Sequence, residues 1–247
     1  MAVTTTPVPP SAALGGWSML RSPAVAALLA SGGLDWICLD AQHGEHDDAS
    51  VREVCAALAG RTRVLVRPPV GDAAWIGRAL DAGAAGVVVP VVESAEQAAA
   101  VVAACHYPPR GRRSWGPMGG LHGAAVPDPQ HAAVTCSVMV ETAAGLAALE
   151  AIAATPGVDE VFVGPFDLAL ALGTTVDELV ADPAPDAPLR RVVDACRRHG
   201  RVAAAFGATA ERTRALLALG FTSVAVTTDA AALADGVSAA AAAVRPS

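Results

Sequence analysis

Short apolar runs alternate with longer segments of helical periodicity along almost the whole chain. The apolar runs tend to end at a glycine, a proline or a polar residue, and several helical segments open with a capping signal. Ser22-Pro23 places serine at an N-cap and proline at the first helical position, and Ser94 with Gln97 matches a capping box. The pattern predicts eight strands, at 15–19, 34–40, 63–66, 86–90, 134–140, 159–163, 201–205 and 221–227.

A helix is predicted after each strand, and eight such units favour a (β/α)8 TIM barrel of the α/β class. The length of 247 residues suits one domain of this kind. The valines of 86–90 are typical of a strand buried on both faces of a parallel sheet. An open doubly wound sheet is the alternative, although no GxGxxG follows the first strand. We predict a flexible N-terminal arm at 1–12 and a single barrel domain at 13–247.

Two segments interrupt the regular pattern. Residues 107–131 are rich in glycine, proline and arginine and show no periodicity, and a loop of that length in a compact domain is usually functional. Residues 177–188 are acidic and proline-rich, which predicts an insert between two helices. Elsewhere the helices are predicted to be continuous, including one over 142–154 and a last one that ends at about residue 244.

The composition restricts the classes of protein to which the chain can belong. Hydrophobic residues make up 53% of the chain and charged residues 17%, which indicates a sizeable core. A net charge of −7 argues against a nucleic-acid partner. No signal peptide or membrane-spanning stretch is evident, so we expect a cytoplasmic protein without a membrane contact. Five scattered cysteines without a CxxC pair predict buried, reduced thiols: Cys38, Cys55, Cys105, Cys136 and Cys196.

Candidate chemistry lies at the carboxyl ends of the predicted strands, where barrel enzymes place their active sites. Glu141 and Asp167 each follow such a strand, and two converging carboxylates suit a hard divalent cation such as Mg²⁺ or Mn²⁺. For either acid alone an alternative stays open, because the helix dipole favours an acid in a first helical turn.

Arg67 ends the third strand and precedes two prolines, and a guanidinium there could stabilise an enolate or carboxylate oxygen. A salt bridge to a neighbouring acid is the alternative. His43 follows Asp40 by three residues, and a carboxylate that orients an imidazole makes a general base. An exposed loop histidine is the other interpretation. The chain contains no lysine, since its 17 cationic side chains are all arginine, and this excludes a Schiff-base mechanism.

Several motifs together resemble the HpcH/HpaI aldolases. They are DxQHG at 40–44, VRP with Arg67, YPPRGRRSWGP at 107–117, VET with Glu141, and GVDEVFVGPFDLALALG at 157–173. They occur in the family's order from about residue 15 to residue 244. The family comprises metal-dependent class II pyruvate aldolases, including 4-hydroxy-2-oxoheptanedioate and 2-dehydro-3-deoxyglucarate aldolases.

The resemblance implies a role for each motif. Glu141 and Asp167 would bind a divalent cation, Mg²⁺, Mn²⁺ or Co²⁺, while Arg67 contacts the keto oxygen of pyruvate and His43, oriented by Asp40, acts as acid and base. It also implies a hexamer, a trimer of dimers that exchange their last helix. The backbone of four residues would hold the pyruvate carboxylate: Gly164, Pro165, Phe166 and Asp167. Asp81 would reach the site of a neighbouring subunit.

The expected reaction is cleavage of a 4-hydroxy-2-oxo acid to pyruvate and an aldehyde, through an enolate stabilised by the metal and Arg67. Oxaloacetate decarboxylation, lysis of a 3-hydroxyacyl-CoA and non-catalytic binding of a keto acid are the alternatives. Gln42, Met139 and Ala169 differ from residues common in the family. The aldehyde half is left open, and we expect the loops at 45–48 and 114–121 to select it.

Overall fold

The strands close into a barrel. The computed structural model describes residues 12–118, 126, 128–129 and 133–245. Eight parallel strands pair in chain order, and the last pairs with the first, which confirms the predicted TIM barrel. The strands are β1 (Ala13–Ser18), β2 (Trp36–Asp40), β3 (Arg63–Arg67), β4 (Gly86–Val89), β5 (Thr135–Val140), β6 (Glu160–Val163), β7 (Val202–Phe206) and β8 (Ser223–Thr228).

Eleven helices occur in the described part of the chain. They are α1 (Pro23–Ala30), α2 (Asp48–Leu58), α3 (Ala73–Asp81), α4 (Ala95–Cys105), α5 (Ala143–Ala147), α6 (Leu149–Ala154), α7 (Pro165–Leu172), α8 (Val176–Ala181), α9 (Pro188–His199), α10 (Ala210–Leu219) and α11 (Asp229–Val244). The predicted N-caps form, since the hydroxyls of Ser22 and Ser94 accept hydrogen bonds from backbone N–H groups of the first turns. The predicted capping box is realised only in part, because the side-chain oxygen of Gln97 accepts from the N–H of Glu93 and not from that of Ser94.

Two predicted elements differ from the structure. The helix predicted over 142–154 is two helices, α5 and α6, that meet at Ala148, where the backbone leaves the helical conformation (φ −88°, ψ 3°). The segment predicted as an insert at 177–188 contains α8. Its start is stabilised by a capping box in which Thr175 and Glu178 satisfy each other's backbone N–H groups.

Parts of two predicted loops fall outside the described residues. This is true of residues 1–11, and therefore of nearly all of the predicted N-terminal arm, whereas Ala12 packs against the core. Of the predicted loop at 107–131, residues 107–118, 126 and 128–129 are described and contain no α-helix or strand. Tyr107 is buried there under the side chain of Arg113, whose guanidinium carbon lies 4.6 Å from the ring centroid.

The core has two layers, because side chains alternate between the two faces of each strand. One layer fills the space between strands and helices. The other fills the barrel interior with large side chains, including Trp17, Trp36 and Phe162. Trp17 and Phe162 pack with ring centroids 5.5 Å apart. These interior side chains form the floor of a cavity at the carboxyl ends of the strands.

All five cysteines are buried and none forms a disulfide, as the sequence predicts for unreactive thiols. Burial raises the pKa of the Cys55 and Cys196 thiols to about 12, so neither is a ready nucleophile. No helix among the described residues has the length and apolar character needed to cross a bilayer.

Candidate active site

A cavity of about 270 Å³ opens at the carboxyl ends of the strands. Its polar side chains come from the ends of β2, β3 and β8, from the turn after β2 and from the first turn of α7. The lining side chains are Trp17, Met19, Asp40, His43, Arg67, Met139, Phe162, Gly164, Pro165, Phe166, Asp167, Phe206 and Thr228. The cavity therefore gathers most of the predicted site residues at the face where barrel enzymes carry out their chemistry.

Asp40 and Arg67 form a buried ion pair at the polar edge of the cavity. They end adjacent strands and lie directly opposite each other in the parallel register. The Arg67 Nε donates to Asp40 Oδ1 at 2.9 Å and its Nη2 donates to Oδ2 at 2.5 Å. The indole N–H of Trp17 donates to the same Oδ2 at 3.2 Å, and the guanidinium carbon lies 5.1 Å from the Trp17 ring centroid. Arg67 is thus held by the Asp40 carboxylate and the Trp17 ring, and a guanidinium fixed in this way is preorganised to stabilise an oxyanion.

The pair keeps both groups charged. Burial raises the pKa of Asp40, but the hydrogen bonds and positive charge of Arg67 oppose this and hold it below its usual value. Burial likewise disfavours the charge on Arg67, but the hydrogen bonds and the charge of Asp40 raise its pKa above the usual value. The salt bridge that the sequence analysis gave as the alternative for Arg67 is therefore present. The same guanidinium also lines the cavity.

His43 is exposed and lines the cavity from the turn after β2. Asp40 Oδ1 accepts hydrogen bonds from the backbone N–H groups of Gln42 and His43, at 3.0 and 3.1 Å. Asp40 thus positions His43 through the backbone, whereas we expected a contact with the imidazole ring. Gly44 permits the turn, because a Cβ at this position would lie 2.5 Å from the carbonyl oxygen of Asp40.

Glu141 is a buried carboxylate at the end of β5, with 4% of its surface exposed. Its Oε1 accepts a hydrogen bond from the backbone N–H of Val91 at 2.8 Å. Val91 has φ of 55°, a left-handed conformation that is rare for a β-branched residue. Such strain persists at functional sites when the surroundings enforce it. The turn after β4 therefore fixes one oxygen of Glu141.

The second oxygen of Glu141 is buried and has no hydrogen-bond partner among the described residues. Gly164 lies directly against it, and a Cβ at Gly164 would collide with this oxygen. Burial raises the pKa of Glu141, and the negative charge of Asp167 raises it further, although the Val91 N–H and the charge of Arg67 oppose both effects. An unpartnered carboxylate oxygen beside a second acid favours a bound cation.

Glu141 and Asp167 fit a divalent cation that takes oxygen ligands. Asp167 is exposed in the first turn of α7 and lines the cavity. The described residues contain no cluster of three or more acidic, histidine or cysteine side chains placed to hold a metal. Two carboxylates that leave several positions to water and substrate are the usual arrangement for Mg²⁺.

The start of α7 faces the same cavity. Its N-cap is Gly164, which has no side chain to satisfy the first N–H groups of the helix, and Pro165 occupies the first turn. The N–H groups of Phe166 and Asp167 follow. A helix start of this kind suits the carboxylate of a small substrate, as the sequence predicts.

Asp81 lies elsewhere in this chain. It ends α3, does not line the cavity, and pairs with Arg113, whose Nη2 donates to its Oδ1 at 2.7 Å. Its expected contribution to a neighbouring subunit's site stays a prediction.

Sequence reasoning missed the apolar part of the lining. Trp17, Met19 and Phe206 come from the ends of β1 and β7. Only polar residues were sought at the strand ends, whereas a search without regard to polarity would have found these positions. Neither 45–48 nor the described part of 114–121 lines the cavity, although these loops were expected to contact the aldehyde.

A closed barrel with acidic and arginine side chains gathered at the carboxyl ends of its strands is the architecture of an α/β-barrel enzyme. The chain belongs to the HpcH/HpaI aldolase/citrate lyase family, whose model matches residues 14–235. This confirms the resemblance noted in the sequence and the expectation of an aldolase-type enzyme.

Named relatives agree with this assignment. The chain is 36% identical over 222 residues to 5-keto-4-deoxy-D-glucarate aldolase of Klebsiella pneumoniae, covering 87% of this chain and 86% of the relative. It is 38% identical over 229 residues to hydroxypyruvate/pyruvate aldolase of Deinococcus radiodurans, covering 90% and 81%. A crystal structure of a family member from Burkholderia cenocepacia superposes with a TM-score of 0.87 at 31% identity, covering 96% and 95%.

Proposed function

We propose that the protein is a divalent-metal-dependent aldolase that cleaves a 4-hydroxy-2-oxo acid to pyruvate and an aldehyde. The observation that carries this proposal is the unpartnered buried oxygen of Glu141, which lies against Gly164 at the edge of the cavity that Arg67 and Asp167 line. The names of the relatives support the same reaction class over oxaloacetate decarboxylation, acyl-CoA lysis or mere binding.

Each group has a role in substrate binding. Glu141 and Asp167 hold the cation, which when bound would polarise the keto and carboxylate oxygens of the 2-oxo acid. The N–H groups at the start of α7 orient the substrate carboxylate. The guanidinium of Arg67, fixed by Asp40, donates to the keto oxygen, where negative charge develops.

The bond changes follow from this arrangement. A base, for which His43 is the candidate, removes the proton of the 4-hydroxyl group. The C3–C4 bond breaks, its electron pair passes into the enolate of pyruvate, and C4 leaves as the aldehyde carbonyl. Return of a proton to C3 completes pyruvate, so no oxidant or further reactant is consumed.

The proposed assembly is a homo-oligomer, a hexamer built as a trimer of dimers that exchange α11. Of the sixteen residues of α11, Asp229 is the one that is buried, and Leu233 and Val237 are 50% and 65% exposed. An apolar stripe of this kind on a monomer marks a protein contact. Its proposed occupant is a second copy of the chain.

The reaction is tested by coupling pyruvate release to lactate dehydrogenase, with a panel of 4-hydroxy-2-oxo acids. We expect EDTA to abolish release and Mg²⁺, Mn²⁺ or Co²⁺ to restore it. Glu141→Gln should lose at least 100-fold in kcat/KM, because the amide is a poor metal ligand. Glu53→Gln removes an exposed carboxylate of α2 and should leave the rate unchanged.

Metal binding is tested separately by thermal unfolding. Added Mn²⁺ should raise the Tm of the wild-type protein and of Glu53→Gln but not that of Glu141→Gln. At neutral pH the metal-free Glu141→Gln protein should be about 1 kcal/mol more stable than wild type, since a buried carboxylate is no longer desolvated. A metal response that persists in Glu141→Gln, or release of pyruvate that is indifferent to EDTA, would refute the metal site.

A further inference from the structure

The cavity has two chemically different halves. Strands β2, β3, β5 and β6 bring the ion pair and the two acids to one side, whereas β7, β8 and β1 form a continuous arc between β6 and β2 on the other. From this arc Phe206, Thr228, Met19 and Trp17 face the cavity. Trp17 and Phe206 pack edge to face with ring centroids 5.6 Å apart. The arc is therefore a largely apolar wall of the cavity, and it adjoins the ion pair at Trp17.

Phe166 extends this apolar wall at the cavity mouth. Its ring centroid lies 6.2 Å from that of Phe206, and 45% of its surface is exposed. The guanidinium carbon of Arg212 lies 5.5 Å from the Phe166 ring centroid, but its Nε donates to Asp177 at 2.8 Å and the residue does not line the cavity. Arg212 is thus already paired on the outer side of Phe166, and Arg67, which lies 5.1 Å from the Trp17 ring centroid, is paired with Asp40.

The acid nearest the arc is also fully engaged. Asp229 is 2% exposed and accepts hydrogen bonds from the Ser18 hydroxyl, from the N–H groups of Met19 and Leu20, and from its own helix. The hydroxyl of Thr228 accepts from the first turn of α11. Among the described residues, the arc therefore presents no free charge to a ligand. A carboxylate placed against it would lose its water without gaining a partner.

From these contacts we infer that the aldehyde half of the substrate is apolar, so that C4 of the 4-hydroxy-2-oxo acid carries a small alkyl or aryl group. The inference rests on the proposed aldol cleavage, which places the 2-oxo acid at the polar half and leaves the arc to the C4 substituent. The cavity of about 270 Å³ limits that group to a compact one. Phe206 and Phe166 are the side chains that select it.

A matched pair of substrates tests this selection. 4-Hydroxy-2-oxoheptanoate and 4-hydroxy-2-oxoheptanedioate have the same chain length and differ in a terminal methyl or carboxylate group. With Mg²⁺ present, we expect kcat/KM for the heptanoate to exceed that for the heptanedioate by roughly tenfold or more. Equal or reversed preference, with metal-dependent release of pyruvate, would overturn the inference and leave the aldolase proposal intact. No release from either acid, or from the wider panel, would overturn both.

Variants of the apolar wall test whether its side chains cause the preference for the heptanoate. Phe166→Arg should reverse the preference towards the heptanedioate, since it places a free cation at the cavity mouth, and Phe206→Ser should reduce it several-fold. Leu170→Ser is the matched control, because Leu170 is 80% exposed on the same helix as Phe166 and does not line the cavity. Unchanged preference in Phe166→Arg and Phe206→Ser, with unfolding curves that show folded protein, would contradict the assignment.

Discussion

At the scale of single residues, the Asp40–Arg67 pair is the most constrained part of the site. Both side chains are buried, at 0% and 8% exposure, and each satisfies the other's charge. Asp40→Asn would leave a buried guanidinium without its anion. We expect the free energy of unfolding at pH 7 to fall by about 3–5 kcal/mol, measured by urea denaturation.

Asp48→Asn is the control for this prediction, because Asp48 pairs with Arg78 at the surface, where an ion pair contributes about 0–1 kcal/mol.

The stability lost in Asp40→Asn should also depend on pH. The pKa of Asp40 is lower in the folded than in the unfolded protein, so the pair's contribution is present above the unfolded value and is lost as the pH falls through the folded one. The difference in free energy of unfolding between wild type and Asp40→Asn should therefore become smaller below about pH 4. A difference of constant size would contradict the pairing.

The residues of the site could be predicted from the sequence, but the contacts between them could be predicted only in part. Asp40, Arg67, Glu141 and Asp167 stand at strand ends, and a barrel brings strand ends together. The pairing of Asp40 with Arg67 followed from the register of β2 and β3, which the sequence does not state. For that reason Asp40 was assigned to the ring of His43, whereas its side chain faces Arg67 and reaches His43 through the backbone.

At the scale of elements, the turn after β4 links backbone strain to Glu141 of the proposed metal site. Val91 is held at φ 55° and is 47% exposed, so a glycine there would relieve strain and lose little packing. We expect Val91→Gly to raise the free energy of unfolding by about 1 kcal/mol. It should also weaken Mn²⁺ binding several-fold in calorimetry, since a flexible turn holds the N–H against Glu141 less firmly.

Ala208→Gly provides the comparison, because Ala208 has φ of 62° in the turn after β7, away from Glu141. It should stabilise the protein without a change in Mn²⁺ affinity. If Val91→Gly kept full affinity, the turn would not position the carboxylate. If both variants lost stability, strain at these turns would not be the reason.

The predicted elements failed where a local signal was overlooked or absent. The acidic and proline-rich composition of 177–188 indicated a loop, although Thr175 and Glu178 carry the spacing of a capping box and start α8. The break between α5 and α6 lies at an alanine, which favours a helix, so helix propensity gives no signal for the end of α5 there.

At the scale of the whole molecule, the fold was predictable because each level of the sequence agreed with the next. Strand patterns, helix caps and the number of βα units all indicate one closed barrel. The apolar arc of the cavity was not predictable in the same way, since Trp17, Met19 and Phe206 carry no chemical signal and meet only after the barrel closes.

The last helix carries the prediction that belongs to the whole molecule. Leu233, Val237 and Val244 lie on one face of α11 by their spacing of four and seven residues, and they are 50%, 65% and 82% exposed. Asp229 fixes only the start of the helix, through its hydrogen bonds to β1 and the turn after it. If this face packs on a second copy of the chain, Val237→Glu should lower the molar mass measured by light scattering. A glutamate at the exposed Ala218 of α10 should not do so. A wild-type protein that is monomeric at micromolar concentration, or a Val237→Glu variant that keeps the wild-type mass, would show that α11 does not hold the assembly together.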